Sequence, residues 1–471
     1  MVNLHVQPSG LITSLFPFQP TYGQQEVFKL IDTLLFSRQM DNPTMLLKGY
    51  AGTGKTTIIS CLVKILPEFG YNTILLAPTG RAAKVMSSYS SKNASTIHKH
   101  IYIRESGDQD DVLKFRRRKN LMAKTVFIID EVSMISDDAE FGQKGLLRDL
   151  VEYVFEKKSN KLILIGDGAQ LPPVKKVISP ALDADYLKSN FAIDLLQYEL
   201  KEVVRQEKES GILFNATLLR NKIGKDAADI KFFTKGYKDI YRMTGEKLED
   251  GLRYAYDKYG KEETIVICRS NKAATMYNEY IRRTINFSED ELSAGDILMV
   301  VRNNYTVLPE ESEPGFIANG DFAEVRRIIK YEEMHGFRFA NIELALLDFP
   351  QQPPFQTLIF LDTLHSHQPN LSQEEYRKLY EAVMQDYLDI PLKKNRLEAV
   401  KKDKYMSALQ VKFAYALTCH KSQGGQWKAV FVEQGYLTDE AINEEFTRWL
   451  YTAVTRASQE LFLVNFNSRF F

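Results

Sequence analysis

Four short apolar runs stand out in the first two hundred residues: TMLLKGY from Thr44, NTILLAPT from Asn72, TVFIIDE from Thr125 and KLILIGD from Lys161. Their apolar positions are consecutive rather than alternating, the mark of strands covered on both faces. Each run ends in a loop of small and polar residues. Helical patterning lies between them, as in GKTTIISCLVKIL from Gly54 to Leu66. Alternation of this kind predicts an α/β fold with a parallel sheet. The pattern starts again at ETIVICRSNKAATMYNEYIRR (Glu263–Arg283). It resumes at VKFAYALTCHKSQG (Val411–Gly424) and runs through KAVFVEQ to LFLVNF near the end.

Between these pieces the pattern changes. GDILMVVRNNY and FIANGDFAEVRRIIKYEE alternate as half-exposed strands do, with Asn319-Gly320 as a tight turn. PQQPPFQ breaks regular structure, and SQEEYRKLYEAVMQDYL opens with a capping box and continues as a polar-faced helix. The segment 288–406 therefore reads as a β-rich insertion in the second α/β lobe, with NNYTVLP and GFIANGDFAEV among its strands. A smaller insertion, 101–123, interrupts the first lobe. The expected division is a first lobe over 1–190, a second over 191–287 plus 407–471, and the inserted module between.

Composition narrows the class. At 471 residues, 44% hydrophobic and 26% charged, the chain is a multi-domain globular protein. No apolar run is long enough to span a bilayer. The first residues lack a basic stretch leading into an apolar core, so no signal peptide is expected and cytoplasmic placement is. Three scattered cysteines give neither a disulfide framework nor zinc spacing. Formal net charge is zero, which argues against a generally basic nucleic-acid binder but leaves room for a local groove. The one dense basic run is LKFRRRKNLMAK (Leu113–Lys124), and Arg116–Arg118 within it reads first as a solvated face.

Candidate chemistry begins with GYAGTGKTT (Gly49–Thr57), a GxxxxGK[ST] loop directly after a strand and opening a helix. Gly49, Ala51, Gly52, Thr53 and Gly54 let backbone N–H groups surround phosphate oxygens, with Thr57 in the first helical turn. Lys55 reaches the β- and γ-phosphates, and Thr56 places its hydroxyl on Mg²⁺. TVFIIDE supplies the acids: Asp130 to hold Mg²⁺ through water and Glu131 to orient or deprotonate the attacking water. This reading expects the two strands to be neighbours in one sheet. ALTCHKSQGGQW (Ala416–Trp427) is dense in reactive groups, yet Cys419 has no partner for metal or nucleophilic chemistry and reads as a core residue.

Six further segments follow in order: LLAPTGRAAKV, STIHKHI, LIGDGAQLPPV, LKEVVRQ, TCHKSQGGQW and RWLYTAVTRAS. Together with the phosphate loop and the acidic strand end, they resemble the motifs of superfamily 1 DNA helicases. The RecD and Dda branch, which moves 5′ to 3′ on single-stranded DNA, is the nearest likeness, over roughly Thr21–Val464. The resemblance implies two RecA-like P-loop ATPase lobes in tandem and an SH3-like second insertion. It implies ATP and Mg²⁺ as cofactors and single-stranded DNA and duplex junctions as partners, with a monomer sufficient and no membrane involved.

Residue by residue, Gln24 resembles the adenine-reading glutamine, with Gln25 an adjacent alternative. Gln170 resembles the γ-phosphate sensor. Arg205 and Arg456 resemble the arginines that the second lobe presents to the triphosphate, whose spread negative charge suits guanidinium forks. DNA contacts of the sequence-independent kind are implied at Pro78, Thr79, Gly80, Thr96 and His98, and at Thr418, His420 and Ser422 in the second lobe. Gln423 and Gly424 are implied at the nucleotide cleft. The first-lobe insertion corresponds in position to a strand-separating protrusion, with Tyr102 and Phe115 as candidate wedge aromatics. One departure is Gln426, where relatives often carry an acid that reaches the nucleotide sugar. The stretch KKVISPALDADYL has no assigned role.

Overall fold

The computed structural model describes residues 7–37, 39–104, 115–138, 144–203, 209–225, 230–309, 312 and 314–471. The first lobe is built on β1 (Thr44–Gly49), β2 (Asn72–Ala77), β3 (Ala94–Thr96), β6 (Thr125–Ile129), β7 (Lys161–Gly166) and β8 (Leu195–Leu200). These form one sheet in the order β3-β2-β6-β7-β1-β8, with every pairing parallel. The four apolar runs are β1, β2, β6 and β7, all central. Helices cover both faces, giving one apolar cluster on each side, around Phe28, Ile59 and Leu62 and around Phe127, Leu150 and Tyr153. β8 lies beyond residue 190, so the lobe extends to residue 200. β4 (Tyr102–Arg104) and β5 (Phe115–Arg117) form a separate antiparallel hairpin within the first insertion.

The second lobe opens with the helix Gly211–Lys222, β9 (Ile240–Met243) and β10 (Thr264–Cys268). The chain then leaves for the insertion. There, β11 (Ile297–Val300), β12 (Phe322–Met334), β13 (Phe337–Leu346), β14 (Phe355–Phe360) and β15 (Leu409–Phe413) close into a barrel. Gly320, at φ 96°, makes the turn into β12. NNYTVLP is not a strand: its only ladder contact is an isolated bridge between Asn304 and Ile317. The side chain of Asn304 instead caps the backbone of Thr306 and Val307. The closing strand β15 lies past residue 406, because its partner β11 pairs with it antiparallel, Leu298 opposite Phe413. Ser372 and Glu375 make the capping box that starts the helix Gln373–Gln385.

After the barrel the chain returns to the lobe with β16 (Ala416–Thr418), β17 (Trp427–Glu433) and β18 (Ala457–Val464). The second parallel sheet runs β16-β10-β17-β18-β9. One buried ion pair roots the barrel: Arg282 donates from Nε and Nη2 to Asp296, and Tyr415 donates to the same carboxylate at 2.9 Å. The apolar core of the second lobe continues without a break into the barrel, from Phe431 and Ile267 to Val325 and Ile342.

Candidate active site and nucleic-acid interface

β1 runs into the phosphate loop, and the helix Lys55–Ile65 leaves it. Gly52 and Gly54 take φ of 74° and 83°, the left-handed basin a β-carbon disfavours. A Cβ on Gly49 would stand 2.9 Å from Thr53 Oγ1 and 3.2 Å from Leu200 Cβ, so the loop closes tightly only with glycine there. Lys55 Nζ lies inside the curl and donates to the carbonyls of Gly49 (2.6 Å) and Tyr50 (2.9 Å). Thr56 is exposed and Thr57 half-buried at the helix start. Gln24 is buried against the loop. Its Nε2 donates to Thr53 O at 3.0 Å, and its Oε1 accepts from Thr21 N in a capping box. Gln25 is exposed and bonds only back to Pro20 O.

β1 and β6 are not neighbours: β7 lies between them and brings Asp167 to the same end of the sheet. The site therefore holds three acids around one ammonium. Asp130 is pushed up to about 6, first by burial and then by the charge of Glu131, while Lys55 pulls the other way. Asp167 is raised by burial, again against Lys55. Tyr89 donates to Asp130 Oδ2 at 2.6 Å, and the Glu131 amide donates to Oδ1 at 2.8 Å, which fixes this carboxylate in plane. Glu131 sits at φ 53° and ψ 38°, and its Oε2 is buried with no hydrogen-bond partner. Gln170 is 7% exposed, and its Oε1 is likewise buried and unpartnered. Buried polar atoms are nearly always satisfied, so two orphans beside a phosphate loop fit a nucleotide, its metal and a water. Asp130 and Thr56 are the residues that would hold Mg²⁺.

The second lobe closes on this site directly. Tyr451 is fully buried; its hydroxyl donates to Asp167 Oδ2 at 2.5 Å and accepts from the Ala51 amide at 2.9 Å. Thr452 accepts from Leu171 N, Arg448 donates to Gly168 O, and Gln423 donates to Leu171 O at 2.7 Å. Gly424 is packed so closely on the first lobe that a Cβ would meet Ala82 Cβ at 2.9 Å and Thr79 Oγ1 at 3.2 Å. Gln423 and Gly424 thus lie on the seam between lobes. Arg456 is 3% exposed, and its guanidinium donates to neutral oxygens of Thr452, Gly425 and Thr455. Arg205 lies outside the described residues.

The residues expected at DNA fall into two groups. Thr79 and Thr96 each cap a helix, accepting from Ala82 N and Lys99 N, so both are bound to backbone here. Gly80 is covered by the barrel: a Cβ on it would be 2.6 Å from Asp321 Oδ1. Pro78 is half-buried beside it. His98 is half-buried, and burial depresses it to about 4, leaving it neutral at physiological pH. His420 is exposed, and Thr418 is half-buried just before it. Ser422 does not fit a phosphate contact in this conformation: it is fully buried, and its hydroxyl is spent on Cys419 O at 2.8 Å. Cys419 is buried with its thiol pushed up to about 12, in keeping with a core role.

Comparison with known proteins gives the same arrangement a lineage. Residues 29–235 match the AAA domain family, and residues 413–464 match the UvrD-like helicase C-terminal domain family. The chain is 30% identical over 288 residues to the ATP-dependent DNA helicase Dda of Enterobacteria phage T4, covering 59% of this chain and 60% of that one. It is 30% identical over 130 residues to the ATP-dependent RecD2 DNA helicase of Deinococcus radiodurans, covering 28% of this chain and 16% of that one. Over its AAA and helicase C-terminal domains, the chain is similar to superfamily 1 helicases of the RecD and Dda type. An uncharacterized protein of Acanthamoeba polyphaga mimivirus is 25% identical over 91% of this chain and 96% of its own length. The chain thus spans 60% of Dda and a smaller share of RecD2, but nearly all of the mimivirus protein.

Two residues of the candidate site carried little signal in the sequence. Tyr451 stands inside RWLYTAVTRAS, where Arg456 drew attention and a tyrosine reads as core. Tyr89 sits on the helix Gly80–Ser90 with nothing to mark it; only the fold brings it to Asp130. The protrusion is also built differently from the wedge expectation. Tyr102 is at the base of the β4–β5 hairpin, and its hydroxyl is tied to Asp149 at 2.8 Å. Phe115 is at the distal end of β5, and its side chain lies outside the described residues. Arg117 is paired with Glu152 and Glu156, as a solvated face would be.

Proposed function

We propose that this helicase is an ATP-driven motor that moves 5′ to 3′ on single-stranded DNA and unwinds duplex ahead of it. The observation that carries this reading is the position of Tyr451. A second-lobe hydroxyl bonded to both the phosphate loop and Asp167 makes the ATP site and the lobe interface one structure. Filling or emptying the loop then changes how the lobes meet. Lys55 binds the β- and γ-phosphates, Glu131 orients and deprotonates the attacking water, and Gln170 reports the γ-phosphate through an amide that can donate or accept. Thr56, and Asp130 through water, would hold Mg²⁺, which would supply charge neutralisation for the phosphates. Arg456, and Arg205 with it, answers the charge that spreads over the γ-phosphoryl group in the transition state.

DNA polarity is supported by resemblance to the Dda and RecD branch. Sequence-independent contacts at Pro78, Thr79, His98, Thr418 and His420 suit a track that must accept every base. The test is strand displacement on 5′-tailed and 3′-tailed duplexes, with ATP hydrolysis followed in parallel. Unwinding of the 5′-tailed substrate alone is expected, together with hydrolysis stimulated by single-stranded DNA and lost in Lys55→Ala. Hydrolysis indifferent to DNA, with neither duplex unwound, overturns the reading. ATP-switched DNA affinity without displacement would instead identify a gated clamp.

A further inference from the structure

Arg220 lies on the second-lobe helix Gly211–Lys222 but reaches across to the phosphate loop. Its guanidinium carbon is 4.4 Å from the ring centroid of Tyr50, the second residue of that loop. Nη2 donates to Lys201 O at 2.8 Å, which sets the plane of the group. Nη1 is buried and has no hydrogen-bond partner among the described residues. No carboxylate pairs with Arg220 among the described residues; Glu199, which accepts from the Tyr50 hydroxyl, is engaged by Tyr50 and Lys201. Its charge is felt at the Tyr50 hydroxyl and also at Tyr451, the residue bonded to the Ala51 amide. Arg220 therefore stands over loop residue 50, whose carbonyl helps to hold Lys55.

A buried guanidinium N–H without an acceptor is costly, and more so because it is charged. The acceptor this one lacks is an anion, and the loop beneath it is built to hold phosphates. We infer that Arg220 is a third arginine supplied by the second lobe to the nucleotide, with Nη1 donating to an oxygen of the terminal phosphate of a nucleoside triphosphate. Arg456 and Arg205 were legible from their motifs; Arg220 has none. Its consequence is selective. A diphosphate fills the loop but leaves Nη1 unsatisfied, so Arg220 favours ATP over ADP and ties that preference to the position of the second lobe. The stack on Tyr50 keeps the group in register while its partner changes.

The inference rests on the ATP-driven reading above, and the experiment separates the two. Binding of fluorescent ATP and ADP analogues is measured for the full-length wild type, Arg220→Ala, Arg220→Gln and Lys55→Ala, alongside KM and kcat with single-stranded DNA. Arg220→Ala should weaken ATP binding and raise KM about tenfold, the worth of one charge-assisted hydrogen bond, with ADP affinity within about twofold of wild type. Arg220→Gln keeps a planar amide over Tyr50 and should lose the same selectivity, which guards against misfolding in the alanine variant. Equal losses for ATP and ADP in both variants would mean a structural tie only, and unchanged selectivity would remove Arg220 from the site; either result overturns the inference while leaving the motor reading intact. A wild type that binds neither nucleotide overturns both.

Discussion

Glu131 occupies the left-handed backbone basin at φ 53°, where a side chain with a β-carbon costs about 1–3 kcal/mol. The preceding residue explains how it is held. The Glu131 amide is bound by Asp130 Oδ1, and the turn that follows, Val132–Met134, closes on Glu131 O. The strain aims a carboxylate oxygen into a buried position with no protein partner. Glu131→Gln preserves size and backbone but cannot take a proton. ATP affinity is expected to stay near wild type while turnover falls at least about a hundredfold, the usual contribution of a positioned base. Single-turnover kinetics with saturating DNA checks this; an unimpaired rate would show that the water is activated elsewhere. Residue types at this scale were legible because motif spacing fixes them. Their partners were not: Ala51 and Tyr451 are 400 residues apart, and only the closed lobes bring them together.

Among the elements, legibility followed burial. β1, β2, β6 and β7 are covered on both faces, so their apolar runs are continuous and plain in the sequence. β8 is an edge strand with half-exposed positions, and β9 (Ile-Tyr-Arg-Met) buries only Ile240 fully; neither carries a run long enough to read. The barrel's early strands were legible through GDILMVVRNNY and the Asn319-Gly320 turn, but its closing strand reads as part of the following lobe, since β15 and β16 are separated only by Ala414 and Tyr415. What fixes the barrel to that lobe is the Arg282–Asp296 pair, with both side chains at most 5% exposed. Removing one partner strands the other charge. Asp296→Ala is expected to cost about 3–5 kcal/mol, read as a lower urea midpoint for the second lobe and barrel. A loss under about 1 kcal/mol would show that Tyr415 and the apolar core suffice.

At the scale of the whole molecule, the barrel touches the first lobe where a DNA contact was expected. Arg81 lies between the rings of Phe322 and Trp427, Lys84 donates to Leu347 O, and Asp348 stands 3.3 Å from the Lys84 ammonium. Burial pushes Asp321, over Gly80, up to about 8. The folded protein thus keeps a proton there that the unfolded chain releases near pH 4. Stability from this group is complete below about pH 4 and declines as pH rises toward about 8. Asp321→Asn has no proton to lose. Its melting temperature relative to wild type is expected to improve steadily from about pH 5 to about pH 8; a difference independent of pH would show that Asp321 is already ionised.

The unbroken apolar core from Phe431 to Ile342 has a mechanical meaning. A close-packed interior deforms little, so the barrel moves as a rigid lever fixed to the second lobe rather than as an arm on a hinge. On the motor reading proposed above, a rotation of that lobe would reach the helix that begins at Gly80. The stroke and the grip on the first lobe are opposite ends of one beam.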